Sequence, residues 1–451
     1  MNILSSMDPV LLSRILTEVT LFVHIIFASY GVGVPLMILL AEWRGVRTND
    51  QHYVLLARRW ARGFVISVAI GVVTGTSIGL QLSLLWPTFM RVAGRAIALP
   101  LFMETFAFFA EAIFLGMYLY TWERFKNKYT HLLLLIPVAL GSSASAFFIT
   151  TVNAFMNYPQ GFTLQNGVFT NVQPFKAMFN PATPTKVAHV LASSYTVSAA
   201  LLTCIAAYNI LKGRKHVYYK KALKLTAISA FVFAVITAII GDFSGKYLAQ
   251  YQPAKLAAAE WHFETMRQAP FVFGGVLGEN NEIKYGIKIP YALSILAGNS
   301  PNYEVIGLDR IPDDEEPPLY IHYLFDLKVS TGVLLVIIPL LYMLRKKLPG
   351  KKHYPKWLLV LLVALAPLAM TAYELGWIFS EVGRQPWILV GYMKVEEAAT
   401  TSTNVGSMLV LFIILYLVLC ISCIRVLSKL FRNRSAEEEM QERGMEGGDH
   451  I

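Results

Sequence analysis

The sequence predicts an all-α polytopic membrane protein of about nine transmembrane helices, with the N-terminus outside and the C-terminus cytoplasmic. Three observations carry this. The chain of 451 residues is 55% hydrophobic and only 15% charged, with a mean hydropathy of +0.50, whereas a soluble chain carries about 25% charge. Its apolar residues gather in runs of about 20, the length of a helix that crosses a bilayer. The basic residues between those runs alternate along the chain in a way that fixes orientation.

Nine spans are predicted, in order: 16–41, 63–85, 97–122, 131–154, 187–211, 223–241, 320–344, 357–382 and 405–427. After the first come Arg44, Arg47, Arg58, Arg59 and Arg62; after the third, Arg124, Lys126 and Lys128. The loop after the fifth holds Lys212, Arg214, Lys215, Lys220 and Lys221, and that after the seventh Arg345, Lys346, Lys347, Lys351, Lys352 and Lys356. Lys429, Arg432 and Arg434 follow the ninth. All five rich segments fall on one side, which the positive-inside rule makes cytoplasmic. The net charge of +10 therefore belongs to membrane loops, and no nucleic-acid partner is implied. Cys204, Cys420 and Cys423 all lie in apolar runs, so no disulfide framework is read. The N-terminus has neither a basic start nor a small-residue cleavage site, so the first run is expected to stay as a span.

The organisation that follows is residues 1–241, with six spans; 242–319, a long outer loop; 320–427, with three more spans; and 428–451, a polar cytoplasmic tail. The loop is rich in aromatics, among them Trp261, Phe263, Phe271 and Tyr285, so an ordered cover with a mobile part is expected. Its end, DRIPDDEEPP from Asp309, reads as a solvated lead into span seven. The tail from Ser435 reads as frayed or disordered.

Ionisable residues inside the spans are the functional candidates, because a charge in hydrocarbon is unfavourable unless paired, neutralised or bound. ELGWIFSEVGRQPW, from Glu374 to Trp387, holds Glu374 and Glu381 seven residues apart, about 10 Å along one helix face, with Arg384 a turn further on. Glu104 and Glu111 repeat that spacing in span three. Two stacked acids suit a proton path, and pairing with basic groups elsewhere is the bland alternative. Span one carries Glu18 and His24. His24 reads equally as a ligand or relay and as a helix-to-helix hydrogen bond. Asn153 and Asn157, one turn apart, suit either a cofactor edge or the end of helix four. His189 opens span five, where a histidine is commonly just solvated. Asp326 and Lys328 lie about two turns into span seven, where the lysine snorkels, pairs with an acid or binds a ligand as a neutral amine. His24, His189, Lys328 and Glu381 all fall in the outer half, on four different helices. Facing helices of a bundle hold redox cofactors in this way.

GWIFSEVGRQPW resembles the GRQPW signature of subunit I of cytochrome bd-type quinol oxidases. FAFFAE ending in Glu111, VNAFMNYPQGF from Val152, GDFSG from Gly241 and KLAAAE from Lys255 extend the resemblance over roughly residues 10–427. The outer loop is similar to the family's short type. The resemblance implies a low-spin haem b, a high-spin haem b and a haem d or third haem b. It implies His24 and Glu381 as axial ligands of the two high-spin haems, and His189 as a ligand of the low-spin haem. Glu104 and Glu111 match the family's proton-path acids, and Glu374, deeper in its span than Glu381, reads as a further proton relay or a buried pair. Lys255 and Glu260 match a quinol site, although on their own they read as surface charge. Arg384 is implied beside a haem propionate and Trp377 against a macrocycle. The implied partners are quinol, O2, a second membrane subunit and a small single-span one, in a prokaryotic cell membrane.

Three positions depart from the family. Lys328 stands where the family has a methionine ligand to the low-spin haem, with His322 as an outside substitute. Phe155 stands for a usual Trp and Asn157 for a usual Gln. The expected function is quinol oxidation on the outer side and reduction of O2 to water with cytoplasmic protons. The alternatives are a related haem oxidoreductase with an altered donor and an ion-coupled transporter. A transporter predicts repeats and helices broken at the midplane, and the sequence shows neither.

Overall fold

The computed structural model describes residues 7–214, 216–347 and 354–444. Lys215, Lys351, Lys352 and the tail beyond Gly444, all used in the sequence reading, lie outside the described residues. Among the described residues, nine helices are long and apolar enough to cross a membrane: Pro9–Thr48, Gln51–Leu85, Pro87–Tyr120, Lys128–Asn157, Thr183–Leu211, Val217–Tyr251, Ile321–Arg345, Lys356–Val382 and Val405–Asn433. They follow the predicted order and are called spans one to nine.

Their ends are where sequence and structure differ. Span one has 40 residues, about 60 Å at the α-helical rise, twice the hydrocarbon thickness. Hydropathy marks where the chain crosses lipid, whereas caps mark where a helix stops. Asp8 starts span one by accepting from the backbone N–H groups of Val10 and Leu11, at 3.1 and 3.2 Å. Asn49 ends it in the left-handed conformation, φ 51°. Asp50 then caps span two by accepting from the His52 N–H at 3.1 Å. The predicted basic loop is thus a two-residue turn, and Arg44, Arg47, Arg58, Arg59 and Arg62 are helical. Span six likewise runs on to Tyr251, so residues 242–251 belong to a helix and not to the loop. Span four is interrupted once, at Leu134, near the basic end.

Spans one and five form the centre of the bundle. In their most apolar windows 50% and 61% of residues are buried, against 17% in span three. They meet at Gly33, where an added Cβ would sit 2.4 Å from Ser198 Oγ. Spans three and nine turn large apolar side chains outward, including Phe102, Phe106, Leu411 and Ile424. Lipid tails or another apolar helix match such a surface without penalty.

The long loop covers one end of the bundle. A short helix, Pro253–Ala259, follows span six. Two antiparallel strand pairs come next, Phe271–Phe273 with Ile287–Ile289 and Val276–Leu277 with Ile283–Lys284, and then the helix Ala292–Gly298. The acidic stretch predicted to be a solvated lead is largely exposed, with two surface contacts. Asp309 accepts from Thr265 N and Oγ1, at 2.9 and 2.7 Å, and Asp314 pairs with Lys394 at 2.7 Å.

The start of the tail also differs from expectation. Ala436–Glu442 is helical, with a Ser435–Glu438 capping box. It docks at the basic end through Glu439, which sits between Arg59 and Arg62 at 2.5 Å from each. Met440 is buried beside it in the main core.

Candidate functional site

Glu381 is the hub of the site. It lies in the last turn of span eight, where Arg384 Nη2 donates to Oε2 at 2.6 Å. Asn153 Nδ2, from span four, donates to Oε1 at 2.5 Å. Asn153 is therefore not a helix cap; its amide is engaged by protein groups. Its Oδ1 accepts from Lys186 Nζ at 3.0 Å, and Lys186 also reaches Ser380 Oγ at 3.0 Å. Asn157 does serve the helix end: its Nδ2 returns to Asn153 O at 2.8 Å. Sequence reasoning missed Lys186. The available signal was its position in the first turn of span five, three residues before His189 on one helix face. The remaining donors of Arg384, Nε and Nη1, are buried with no hydrogen-bond partner among the described residues.

A cavity of ≈ 690 Å³ lies beside this hub, within the range of cofactor and ligand pockets. Spans five, seven and eight and the covering loop bring His189, Lys328, Trp377, Lys255 and Glu260 to its wall. His189 Nδ1 is buried without a partner among the described residues. The expectation of a merely solvated histidine is therefore overturned, because its helix starts at Thr183 and carries the ring inward.

Lys328 neither snorkels nor pairs. Its Nζ sits 4.6 Å over the Phe325 ring and 4.3 Å over the Phe379 ring, with no carboxylate partner among the described residues. Asp326 turns to the loop instead, accepting from Gly274 N at 2.5 Å and lying 3.4 Å from His322. His322 is not free to replace a ligand. Its Nδ1 contacts Ala259 O at 2.8 Å, its Nε2 contacts Gly274 O at 3.2 Å, and Trp261 stacks on its ring.

Lys255 and Glu260 are not surface charges. They are 4% and 2% exposed and flank the turn that ends the helix Pro253–Ala259. Lys255 Nζ donates to Ser380 O at 2.9 Å. Gly383 makes room for the lysine, since a Cβ there would lie 2.6 Å from Lys255 Cε. Burial pushes the Lys255 amine well below its usual range, and the neighbouring Lys186 charge adds to this. Burial pushes the Glu260 carboxyl well above its usual range, with Asp326 adding. Glu260 Oε2 has no partner among the described residues.

A smaller cavity of ≈ 280 Å³ joins Glu18, Glu374, Trp377 and Glu381. Trp377 lines both cavities. Glu374 Oε1 is buried without a partner among the described residues. His24 stands apart from both: its Nδ1 lies 2.9 Å from Thr74 Oγ1 of span two. It lies about 22 Å along the helix from Pro9. Glu104 and Glu111 face span four, where Ser145 donates to Glu104 Oε1 at 2.9 Å and a Cβ added at Gly141 would lie 3.1 Å from Glu111 Cβ. Neither is in an ion pair among the described residues, so the pairing alternative does not hold for them.

Comparison with known proteins gives the family of the chain. Residues 12–435 match the family described as cytochrome bd terminal oxidase subunit I. Among curated relatives, the chain is 39% identical over 439 residues to "Putative cytochrome bd menaquinol oxidase subunit I" of Bacillus subtilis, covering 96% of this chain and 99% of that one. It is 30% identical over 432 residues to the cytochrome bd ubiquinol oxidase subunit 1 of the same organism, covering 92% and 91%. The solved structure of bd oxidase from Geobacillus thermodenitrificans superposes with a TM-score of 0.92 at 64% identity, covering 95% and 99%.

Proposed function

Because the chain belongs to the cytochrome bd terminal oxidase subunit I family, we propose how its own residues divide the work of a quinol oxidase. The protein is the haem-bearing subunit of a terminal oxidase, a multi-pass protein of the cell membrane that oxidises quinol and reduces O2 to water. It acts with a partner membrane subunit. The observation that carries the division of labour is the ≈ 690 Å³ cavity, which gathers His189, Lys328, Lys255 and Glu260 on one wall-to-wall surface.

The residues present fit haem. His189 offers a buried unpartnered nitrogen, Arg384 two buried unpartnered donors suited to a propionate, and Trp377 a flat apolar face. When bound, haem supplies one-electron redox chemistry and an iron at which oxygen is reduced. The set we assign is a low-spin haem b held by His189, with a high-spin haem b and a haem d (or third haem b) held by His24 and Glu381. Asn153 and Lys186 hold the Glu381 carboxylate in place; Arg384 neutralises it.

Quinol is oxidised at Lys255 and Glu260. The lysine, its amine pushed below its usual range by burial, holds an oxygen of the headgroup, and Glu260 takes one of the two headgroup protons. The loop end faces outside, as the basic residues require, so those protons leave outward. Protons for water come from the opposite side through Glu111 and Glu104, with Glu374 as a relay beside Glu18. Charge is separated because the two proton reactions open to opposite sides, without a pump. A second, similar-sized membrane subunit and a small single-span one complete the complex.

Lys328 supports a second reading, in which the haems remain but the electron donor differs. An amine where the family resemblance implies a methionine ligand would shift the potential of the low-spin haem. A purified two-subunit complex separates the readings. Reduced-minus-oxidised haem bands together with quinol-dependent O2 uptake support the first. Haem bands without that uptake support the second, and no haem bands overturn both.

A further inference from the structure

Away from the site, at the basic end of the bundle, three buried polar side chains close into one hydrogen-bonded cluster. Tyr118 Oη donates to Glu42 Oε2 at 2.5 Å. His131 Nδ1 lies 2.8 Å from Glu42 Oε1, and its Nε2 lies 2.9 Å from the Tyr118 carbonyl. Tyr118, Glu42 and His131 are 0%, 2% and 4% exposed. They come from spans three, one and four, and the imidazole stacks on the Tyr118 ring at 4.5 Å between centroids.

Hydrogen-bond inventory fixes what this cluster holds. A carbonyl only accepts, so His131 Nε2 carries a hydrogen. The Tyr118 hydroxyl spends its hydrogen on Oε2. One further proton is shared between His131 Nδ1 and Glu42 Oε1, either as acid and neutral imidazole or as carboxylate and imidazolium. The cluster is therefore a store for one exchangeable proton, out of contact with lipid.

Its position is as telling as its chemistry. Glu104, Glu111 and Tyr118 are spaced seven and seven residues apart on span three, so all three stand on one face in steps of about 10 Å. That face is packed against span four along its length, from Ser145 at Glu104 and Gly141 at Glu111 to His131 at Tyr118. On the water side, Arg58 of span two lies over Trp122 and pairs with the exposed Glu123 at 2.7 Å, while Arg443 approaches Glu123 at 3.8 Å.

We propose that Glu42, His131 and Tyr118 are the proton-loading group for the path that continues through Glu111 and Glu104. The cluster takes one proton from water at the basic end and passes one on to Glu111 through intervening waters, so its own charge is restored each cycle. A purely structural tie between three helices would need neither a carboxylate nor an imidazole, both of which are costly to bury. The inference rests on the proton-path reading of Glu111 and Glu104.

The test is time-resolved proton uptake by the reduced two-subunit complex in proteoliposomes after O2 is admitted, with haem content measured alongside. Glu42→Gln is expected to slow the uptake phase about tenfold or more, with haem content unchanged and a solvent isotope effect moved onto that phase. Tyr118→Phe keeps the ring stack, removes the donor to Glu42 and is expected to slow uptake several-fold with a shifted pH profile. If Glu42→Gln takes up protons at the native rate while Glu111→Gln is slow, loading occurs elsewhere and the inference falls alone. If both are fast, the path itself is wrong and the inference falls with it. If Glu42→Gln fails to assemble, Tyr118→Phe decides, and a native rate and pH profile there overturn the proposal.

Discussion

Asn153 donates from Nδ2 to Glu381 Oε1 at 2.5 Å, and the same amide accepts from Lys186 at 3.0 Å. One neutral side chain thus couples a lysine of span five to the carboxylate of span eight. The two oxygens of Glu381 each keep lone pairs beyond the bonds to Asn153 and Arg384, so the carboxylate is fixed in direction but still able to bind.

Asn153→Leu should loosen that carboxylate. A hydrogen bond to a charged group contributes about 1.5–3 kcal/mol, and its loss is expected to lower haem occupancy or shift the high-spin bands. Haem per complex and the absorption spectrum measure this. An unchanged spectrum at full occupancy argues that Glu381 holds no haem.

Lys328→Met replaces an amine with a thioether of similar reach. If the lysine ligates the low-spin haem, its bands and midpoint potential shift in the variant. If both stay put, Lys328 is only a lining residue of the cavity.

Glu260 sets a pH dependence. Burial, with Asp326 adding, raises its pKa well above the ordinary carboxylate value, and only the ionised form accepts a quinol proton. Quinol oxidation should therefore rise with pH through a window above about 4.3. Glu260→Gln should lower turnover by about 100-fold and flatten that rise. Stability moves the other way: between the ordinary and the raised value the folded state binds more protons than the unfolded one, so stability falls as pH rises. The variant should lose that fall in a thermal melt followed against pH.

Glu111→Gln should reduce O2 uptake by about 100-fold while leaving haem bands in place, because Glu111 lines neither cavity. Ser145→Ala removes one neutral donor to Glu104, worth about 1 kcal/mol, and should have a much milder effect. A Glu111→Gln enzyme with native turnover would remove this acid from the path.

Glu439→Ala leaves Arg59 and Arg62 without their shared carboxylate. Breaking a buried pair by removing one partner costs about 3–5 kcal/mol, so the helix Ala436–Glu442 should undock. Limited proteolysis reads this directly: cleavage after Arg434 or Arg443 should accelerate. Equal protection in variant and native protein would show that Met440 packing alone holds the helix.

The sequence by itself determined the class of protein, the number and order of spans among the described residues, and the candidate acids and histidines. Hydropathy and charge are summed over whole segments, so neighbours along the chain suffice to read them. The resemblance carried by GRQPW and the motifs around it supplied the family. Tertiary structure decided what depends on neighbours in space. Lys255 and Glu260 read as surface charge until the loop folded over them. Lys186 read as an ordinary helix start until Asn153 and Ser380 met it from other spans. His322 read as a spare ligand until two loop carbonyls took its ring. The heptad of Glu104 and Glu111 was legible, but its continuation to Tyr118 became visible only with Glu42 and His131 beside it. A side chain's charge state and role in lipid are set by which helices pack against it, and that packing is not written in any one span.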